Sequence, residues 1–225
     1  MSFLCHISLI FALLSFRRNP AGIRLNYSDK GLISVPTIIN SSVTSLILSN
    51  NTITTILCSD FNDKYSSLQQ ISLFFNCIRK VEPGSFKGTL LDTVYLGYNM
   101  LDYFPDFCEV KATLTKLGLR FNKIVAIFMN DLICLNNLES LSLSGNPLVA
   151  LPDLIEILPS LKRLNVRDIA INCCQNIIWM KDIDTLLIED APCVLPPSLI
   201  GVEWSMIQYE ALGELLWNTF STFRF

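Results

Sequence analysis

Apolar residues recur along the central part of the chain in one fixed arrangement. The stretch from Leu138 to Leu148 gives it as L-x-x-L-x-L-x-x-N-x-L. The asparagines of five such copies are 23 to 25 residues apart and stand at Asn51, Asn76, Asn99, Asn122 and Asn146. A sixth copy keeps the spacing but has Ile169 in the asparagine position. Self-similarity with a period of this size predicts a solenoid in which each copy is one coil.

The L-x-L part of each copy predicts a short strand, because alternate side chains of a strand point to opposite faces. One such strand cannot bury its apolar face alone, but the next copy can lie beside it and continue the same core. We therefore expect an α/β fold in which about six coils, residues 43–171, form a parallel sheet on the concave side of a curved solenoid.

The repeat asparagine is expected to satisfy backbone groups at the turn after each strand. Its short side chain carries donors and an acceptor, and it can reach its own coil and the adjacent one. Ile169 cannot do this, which indicates that the array ends near the sixth copy.

The segments between the strands carry one large apolar residue each, at Phe61, Phe86, Phe107 and Leu132. These residues are expected to stack on the convex side and to belong to the core. Glu82-Pro-Gly-Ser-Phe86-Lys-Gly88 resembles the P-G-A-F-x-G segment of Slit-type and Toll-like ectodomains. The chain thus resembles extracellular leucine-rich repeat proteins, and the resemblance implies a right-handed solenoid that is capped at both ends.

The two ends resemble the caps of that family. Residues 21–42 contain a segment similar to the N-terminal cap, with Tyr27 where the family has a cysteine. Residues 172–213 are similar to the C-terminal flanking cap, although Cys173 and Cys174 are adjacent and no cysteine follows Cys193. The resemblance implies a disulfide bridge from Cys173 or Cys174 to Cys193, and we expect Cys174 to be the partner of Cys193. Residues 214–225 form an apolar tail unlike the family.

The chain begins with an apolar run at residues 3–16, which fits the central part of a secretory signal over residues 1–20. A signal anchor and a misassigned start are the alternatives, since Arg17 and Arg18 follow the run rather than precede it. Membrane association is expected only through this segment. Three glycosylation sequons begin at Asn26, Asn40 and Asn50. The first two are expected in the N-terminal cap, off the sheet.

Composition argues against catalysis and nucleic-acid binding. The net charge of −3 gives no sign of a nucleic-acid partner. The single histidine, His6, lies in the apolar run, and no metal-ligand spacing or phosphate loop occurs. We therefore expect no enzyme activity, no cofactor and no metal.

Cys58 and Cys77 are expected to be unpaired. Cys108 and Cys134 are interpreted as packed thiols, with a bridge between neighbouring coils as the alternative.

The x positions of the strands are the candidate binding surface, because they face outward on the concave side. Phe75, Tyr98 and Phe121 occupy one position in three successive coils and are expected to stack in a column. The full set of candidate contact residues is Phe74, Phe75, Tyr95, Tyr98, Arg120, Phe121, Arg163 and Arg167. Aromatic and arginine side chains are typical anchors of protein interfaces. The alternatives are a surface common to the whole family for the column, and solvated charge for the basic patch of Lys162, Arg163 and Arg167.

The expected function is therefore non-catalytic recognition of a protein partner through the concave face, by a secreted or cell-surface protein of the adhesion, matrix or innate-recognition type. An intracellular leucine-rich repeat adaptor and a fragment of a larger membrane receptor are the alternatives. A fold shared by many functions does not choose among them.

Overall fold

The computed structural model describes residues 22–148, 150–172, 187–189, 192–195, 197–202 and 206–207. The strands of these residues are β1 (Ile23–Asn26), β2 (Val43–Ile47), β3 (Thr55–Ile56), β4 (Gln70–Ser72), β5 (Lys80–Val81), β6 (Thr93–Tyr95), β7 (Lys116–Gly118), β8 (Ser140–Ser142), β9 (Arg163–Asn165), β10 (Ile171–Asn172), β11 (Leu187–Glu189) and β12 (Cys193–Leu195). Short α-helices lie at Cys58–Phe61, Met129–Leu132 and Leu154–Ile157, and 3-10 helices at Cys108–Val110 and Pro197–Leu199.

The main sheet has eight parallel strands in the order β1-β2-β4-β6-β7-β8-β9-β11. Each repeat contributes one strand, and each strand pairs with the strand of the next coil. The expected leucine-rich repeat solenoid of the α/β class is confirmed. Two smaller parallel pairs, β3 with β5 and β10 with β12, lie outside the main sheet.

The core lies behind the sheet, where the repeat leucines of successive coils meet. The central leucine position of the six coils forms one row in register, and all its members are buried: Leu46, Ile71, Val94, Leu117, Leu141 and Leu164. A strand alone would expose this face to water, so the stacking of coils is what removes it from solvent. The outward x positions remain available on the opposite face.

Phenylalanines fill the core on the convex side, as the sequence predicted. The ring centroids of Phe61 and Phe86 are 5.7 Å apart, and those of Phe86 and Phe107 are 6.0 Å apart. All three side chains are fully buried, and so is Leu132 in the next coil. Stacked rings at these separations add favourable contacts to the burial of their apolar area.

The repeat asparagines bond their own coil and the preceding one, which confirms their predicted role. Asn99 shows the arrangement: its Oδ1 accepts the Ile78 N–H at 2.9 Å. Its Nδ2 donates to the carbonyls of Leu73 at 2.9 Å and Leu96 at 3.0 Å. The other members of this buried ladder are Asn51, Asn76, Asn122 and Asn146. Each side chain thereby satisfies backbone groups that the turn leaves unpaired.

One expectation about the N-terminal cap is wrong. Asn26 was expected off the sheet, but it is the last residue of β1 and pairs with Ile47 of β2. β1 covers the sheet edge that the first repeat would otherwise leave open, because its backbone groups bond those of β2. Just after β1, the Tyr27 N–H donates to Ile47 O at 2.8 Å. Asn40 lies outside the strands, as expected.

The interpretation of Cys108 and Cys134 as packed thiols is also wrong. The two residues form a disulfide between neighbouring coils, with their Cα atoms 5.5 Å apart. The bridge forms because the stacked coils bring Cys108, directly after Phe107, within bonding distance of Cys134, which is two residues after Leu132 in the next coil. Cys58 and Cys77 are free thiols.

The C-terminal segment continues the solenoid beyond the sixth copy. β11 pairs with β9 in the main sheet, and Cys193 of β12 is buried and disulfide-bonded. Its predicted partner Cys174, the predicted signal of residues 1–20 and the tail of residues 214–225 lie outside the described residues. No helix in the described part of the chain is both long and apolar enough to cross a membrane.

Candidate functional site

The candidate site is a group of six outward-facing side chains on coils two to four of the main sheet. We call this group the aromatic surface; it consists of Phe74, Phe75, Tyr95, Tyr98, Arg120 and Phe121. Its members come from the residues within and just after β4, β6 and β7. The sheet therefore brings together side chains that are up to 47 residues apart in the chain.

Three of the rings form the column that the repeat spacing predicted. The Phe75 and Tyr98 centroids are 4.2 Å apart and those of Tyr98 and Phe121 are 4.6 Å apart, with the planes within 15° of parallel in both pairs. Each residue stands before a repeat asparagine and has a left-handed backbone, with φ between 52° and 56°. The ring separation is close to the strand spacing of about 4.8 Å, so the ring of each of these three coils stacks directly on the ring of the next.

A second pair of rings lies beside this column. The Phe74 ring stacks on the Tyr95 ring with centroids 5.3 Å apart and planes 16° from parallel. The pair connects to the column through Phe74, whose centroid is 6.4 Å from that of Phe75. The rings of three coils therefore form one connected group rather than separate side chains.

Three glycines make room for these rings. A Cβ on Gly97 would lie 2.5 Å from the Phe74 ring, one on Gly118 3.0 Å from the Tyr95 ring, and one on Gly145 2.4 Å from the Phe121 ring. Each glycine occupies the position of its aromatic neighbour in the following coil. The glycines were not among the predicted site residues, although this offset of one coil is visible in the repeat alignment.

Arg120 is held against two of the rings. Its Cζ atom is 5.1 Å from the centroid of Phe74 and 5.2 Å from that of Tyr98, within the range of a cation–π interaction. Its stem passes over Gly97, where an added Cβ would be 3.0 Å from Arg120 Cγ. The guanidinium thus reaches back across the neighbouring coil and lies between the column and the second ring pair.

Much of this surface is accessible to a partner. Phe75 is 50% exposed, Phe121 38% and Tyr95 37%, while Phe74 and Tyr98 are half-buried. The exposed rings are contiguous, because each ring of the column stacks on the next. This surface suits a ligand that buries apolar area against the rings and makes hydrogen bonds at the periphery of the patch.

The predicted basic patch is separate from the aromatic surface. Lys162 makes an ion pair with Glu139 at 2.6 Å, and the hydrogen bond from Lys162, together with its charge, lowers the pKa of Glu139. Arg163 lies on β9, two strands beyond β7, and Arg167 follows the same strand. Both arginines are exposed. The structure therefore does not bring Arg163 and Arg167 together with the rings.

Asn50 occupies the position of the ring column in the first coil. It is exposed, has φ 55°, and its N–H donates to Phe74 O at 2.9 Å. A glycan on this sequon would stand beside Phe75 at the N-terminal end of the column. Asn26 and Asn40 are exposed as well.

The described residues contain no group of three or more His, Cys, Asp or Glu side chains that could hold a metal ion. The stacked rings and the guanidinium of the aromatic surface supply contact area and hydrogen-bond donors, and Tyr95 and Tyr98 add phenolic hydroxyl groups.

Comparison with known proteins supports the same repeat class. A family model described as Leucine Rich Repeat matches residues 137–164. The chain is 30% identical to Toll-like receptor 7 of Mus musculus over 56% of its length, and 32% identical to Chaoptin of Drosophila melanogaster over 63%. Each match spans only 13% of the relative. A crystal structure of a TLR13–ssRNA13 complex aligns with a TM-score of 0.57 at 25% identity, over 66% of this chain and 22% of that one.

Proposed function

Since the chain is a leucine-rich repeat protein with repeats of the Toll-like ectodomain type, we propose that it binds a protein partner through the aromatic surface of its concave sheet. The observation that carries this proposal is the stack of Phe75, Tyr98 and Phe121, which remains partly exposed although apolar. In typical interfaces a few such anchor residues carry most of the binding energy, and their truncation to alanine weakens binding strongly.

The rigidity of the rings supports the same proposal. Each ring is held by its neighbours, and three of them also lie over a glycine, so little side-chain entropy remains to be lost when a partner binds. A flexible surface with the same residues would bind less tightly, because ordering each free side chain costs about 0.5–1.5 kcal/mol.

The proposed setting is extracellular, and the module acts without catalysis. The resemblance of the two ends to extracellular caps and the three exposed sequons support this setting. Glycosidase-sensitive protein in the medium of secreting cells is the expected result. Unglycosylated protein retained in the cytosol would instead favour the intracellular adaptor.

The experiment compares two double variants of the full chain. Purified chain is screened by surface plasmon resonance against a panel of secreted proteins and receptor ectodomains. For any binder, Tyr98→Ala with Phe121→Ala is expected to raise Kd at least about tenfold, since each substitution removes a ring of the column. Unchanged affinity of this variant would contradict the proposal.

The matched control lies on the other side of the solenoid. Phe128 and Ile133, in the return segment around the helix Met129–Leu132, are 67% and 59% exposed. The variant Phe128→Ala with Ile133→Ala removes a similar apolar area and is expected to leave Kd unchanged. Equal losses for both variants would point to a general effect on folding.

RNA is the alternative ligand, because the similar TLR13 structure is a complex with ssRNA13 and because stacked rings with an arginine can also hold bases. The net charge of −3 and the pairing of Lys162 with Glu139 favour a protein. A labelled single-stranded RNA of about the length that stacked-base sites accommodate, roughly 13 nucleotides, is added to the same measurement and is expected not to bind.

A further inference from the structure

Arg120 differs from the other members of the aromatic surface because it carries a full charge. It is exposed, and its Cζ lies over both Phe74 and Tyr98. The ion pairs found among the described residues are Lys80–Glu82, Lys87–Asp63 and Lys162–Glu139. None of these described pairs involves Arg120, so the rings, rather than a carboxylate, hold this guanidinium.

The position of Arg120 depends on a gap in the neighbouring coil. Gly97 has the same place in the third coil that Arg120 has in the fourth and Phe74 has in the second. A side chain at residue 97 would meet both the Phe74 ring and the Arg120 stem. The glycine therefore allows the arginine to lie flat across the coil and to reach Phe74.

A guanidinium on aromatic rings keeps its N–H donors along its edges. Its five donors form a planar fork that matches the two oxygens of a carboxylate, and stacking on rings does not consume them. Because the rings already fix the side chain, forming such a pair costs less rotamer entropy than with a free arginine. Exposed rings around it, Phe75 and Phe121 among them, would lower the competition from water.

We propose that Arg120 is the anion-recognition point of the aromatic surface, and that it takes the carboxylate of an Asp or Glu flanked by apolar residues in a protein partner. The inference rests on the proposed function and names the chemistry of the partner. The positive charge available to a partner is that of Arg120, because Lys116, on β7 of the same coil, is also exposed but already acts on the Glu139 carboxylate of the next coil. Arg163 and Arg167 lie two coils away, so no continuous basic track for a phosphate backbone runs over the rings in the described part of the sheet.

The test selects binders from a library of random peptides displayed on yeast, with the purified full chain as bait. Selected clones are then measured against three variants of the chain. Arg120→Met keeps a stem that can lie over Gly97 but removes the charge and the donors. Arg120→Lys keeps the charge without the planar fork. Tyr98→Ala with Phe121→Ala removes two rings of the column.

The expected clones are enriched in Asp or Glu next to apolar residues and lose affinity for the ring variant. They bind Arg120→Met at least about tenfold more weakly, the loss typical of a charge-assisted hydrogen-bonded pair, with a smaller loss for Arg120→Lys. Changing the enriched acid of a clone to its amide removes the difference between wild type and Arg120→Met.

The contrary outcomes separate this inference from the proposed function. Clones that need the rings, lack acid enrichment and bind Arg120→Met normally would overturn the role of Arg120 alone. Clones indifferent to the ring variant, or a library that yields none, would overturn both proposals. Binding of a short polyuridylate RNA that is lost in Arg120→Met would show that the anion is a phosphate and would overturn the carboxylate assignment.

Discussion

At the scale of single residues, the aromatic surface depends on glycines, which have no side chain, as much as on its aromatic residues. Phe74, Tyr95 and Phe121 each extend over a glycine of the following coil. Gly145 combines two constraints, because it has φ +66° and its hydrogen faces the Phe121 ring where a Cβ would lie 2.4 Å away. Only glycine meets both requirements without strain.

Gly145→Ala is expected to destabilise the protein by more than the backbone alone explains. An alanine with positive φ costs about 1–2 kcal/mol, and the displaced Phe121 ring adds to that cost. Urea unfolding followed by circular dichroism measures the difference. Gly31→Ala is the matched control, since Gly31 has φ +65° and nothing within 4 Å of the added Cβ.

The coupling can be isolated with a third variant. In a Phe121→Ala background, Gly145→Ala is expected to cost about the same as Gly31→Ala, because no ring remains to be displaced. An equal cost for Gly145→Ala and Gly31→Ala in the wild-type background would mean that the contact with the ring carries no energy.

At the scale of elements, coils are joined by three kinds of interaction on different sides of the solenoid. The strands pair through their backbones, the asparagine ladder joins the turns, and the convex side combines stacked phenylalanines with one disulfide among its described residues. The bridge from Cys108 to Cys134 joins the coil of the last convex phenylalanine, Phe107, to the next coil. It therefore reinforces the convex side where the stack of rings gives way to Leu132.

Removing this bridge is expected to lower the free energy of unfolding by roughly 3 kcal/mol, because it closes a loop with a sequence separation of 26 residues. The variant is Cys108→Ser with Cys134→Ser, compared with the oxidised wild type in urea. Cys58→Ser with Cys77→Ser is the control and is expected to change little, since both are free thiols. A loss no larger than that of the control would argue that the coils are held without the bridge.

At the scale of the whole molecule, Asn50 bounds the aromatic surface on the side of the N-terminal coils. The first coil carries this sequon at the same position as the ring column, so its glycan would bound the aromatic surface on the N-terminal side. A partner would then approach over coils two to four and towards the C-terminal end. The sheet continues in that direction through β8, β9 and β11.

In protein that is secreted, we expect glycans on Asn26, Asn40 and Asn50, because all three sequons are exposed. Protein from the medium of secreting cells should move faster on a gel after glycosidase treatment. Asn→Gln at all three positions should abolish that shift, and Asn50→Gln alone should remove one step. Absence of any shift in secreted protein would contradict the assignment of the sequons.

The repeat was predictable from sequence, and so was much of the surface. The apolar period required stacked coils, and the period fixed which residues are neighbours across coils. The column of Phe75, Tyr98 and Phe121 and the bonding of the asparagines followed from that register alone. Periodic patterns are informative because a shift of one residue in the register would place the leucines on the wrong face.

Features that break the period required the tertiary structure. β1 joins the sheet although residues 23–26 do not carry the full repeat, since an open edge recruits any strand that can bond it. The bridge between Cys108 and Cys134 depends on a Cα separation of 5.5 Å, which residue types alone do not give.

The sequence by itself determined the solenoid, its register, and the set of side chains that face outward. Only the tertiary structure decided which of these side chains lie in contact. Arg120 lies over the rings of Phe74 and Tyr98, whereas Arg163 and Arg167 lie two coils away from the column. The physical reason is that the repeat fixes the positions of Cα atoms, while the direction of a long side chain depends on the space its neighbours leave. At Gly97 that space exists, and Arg120 lies in it.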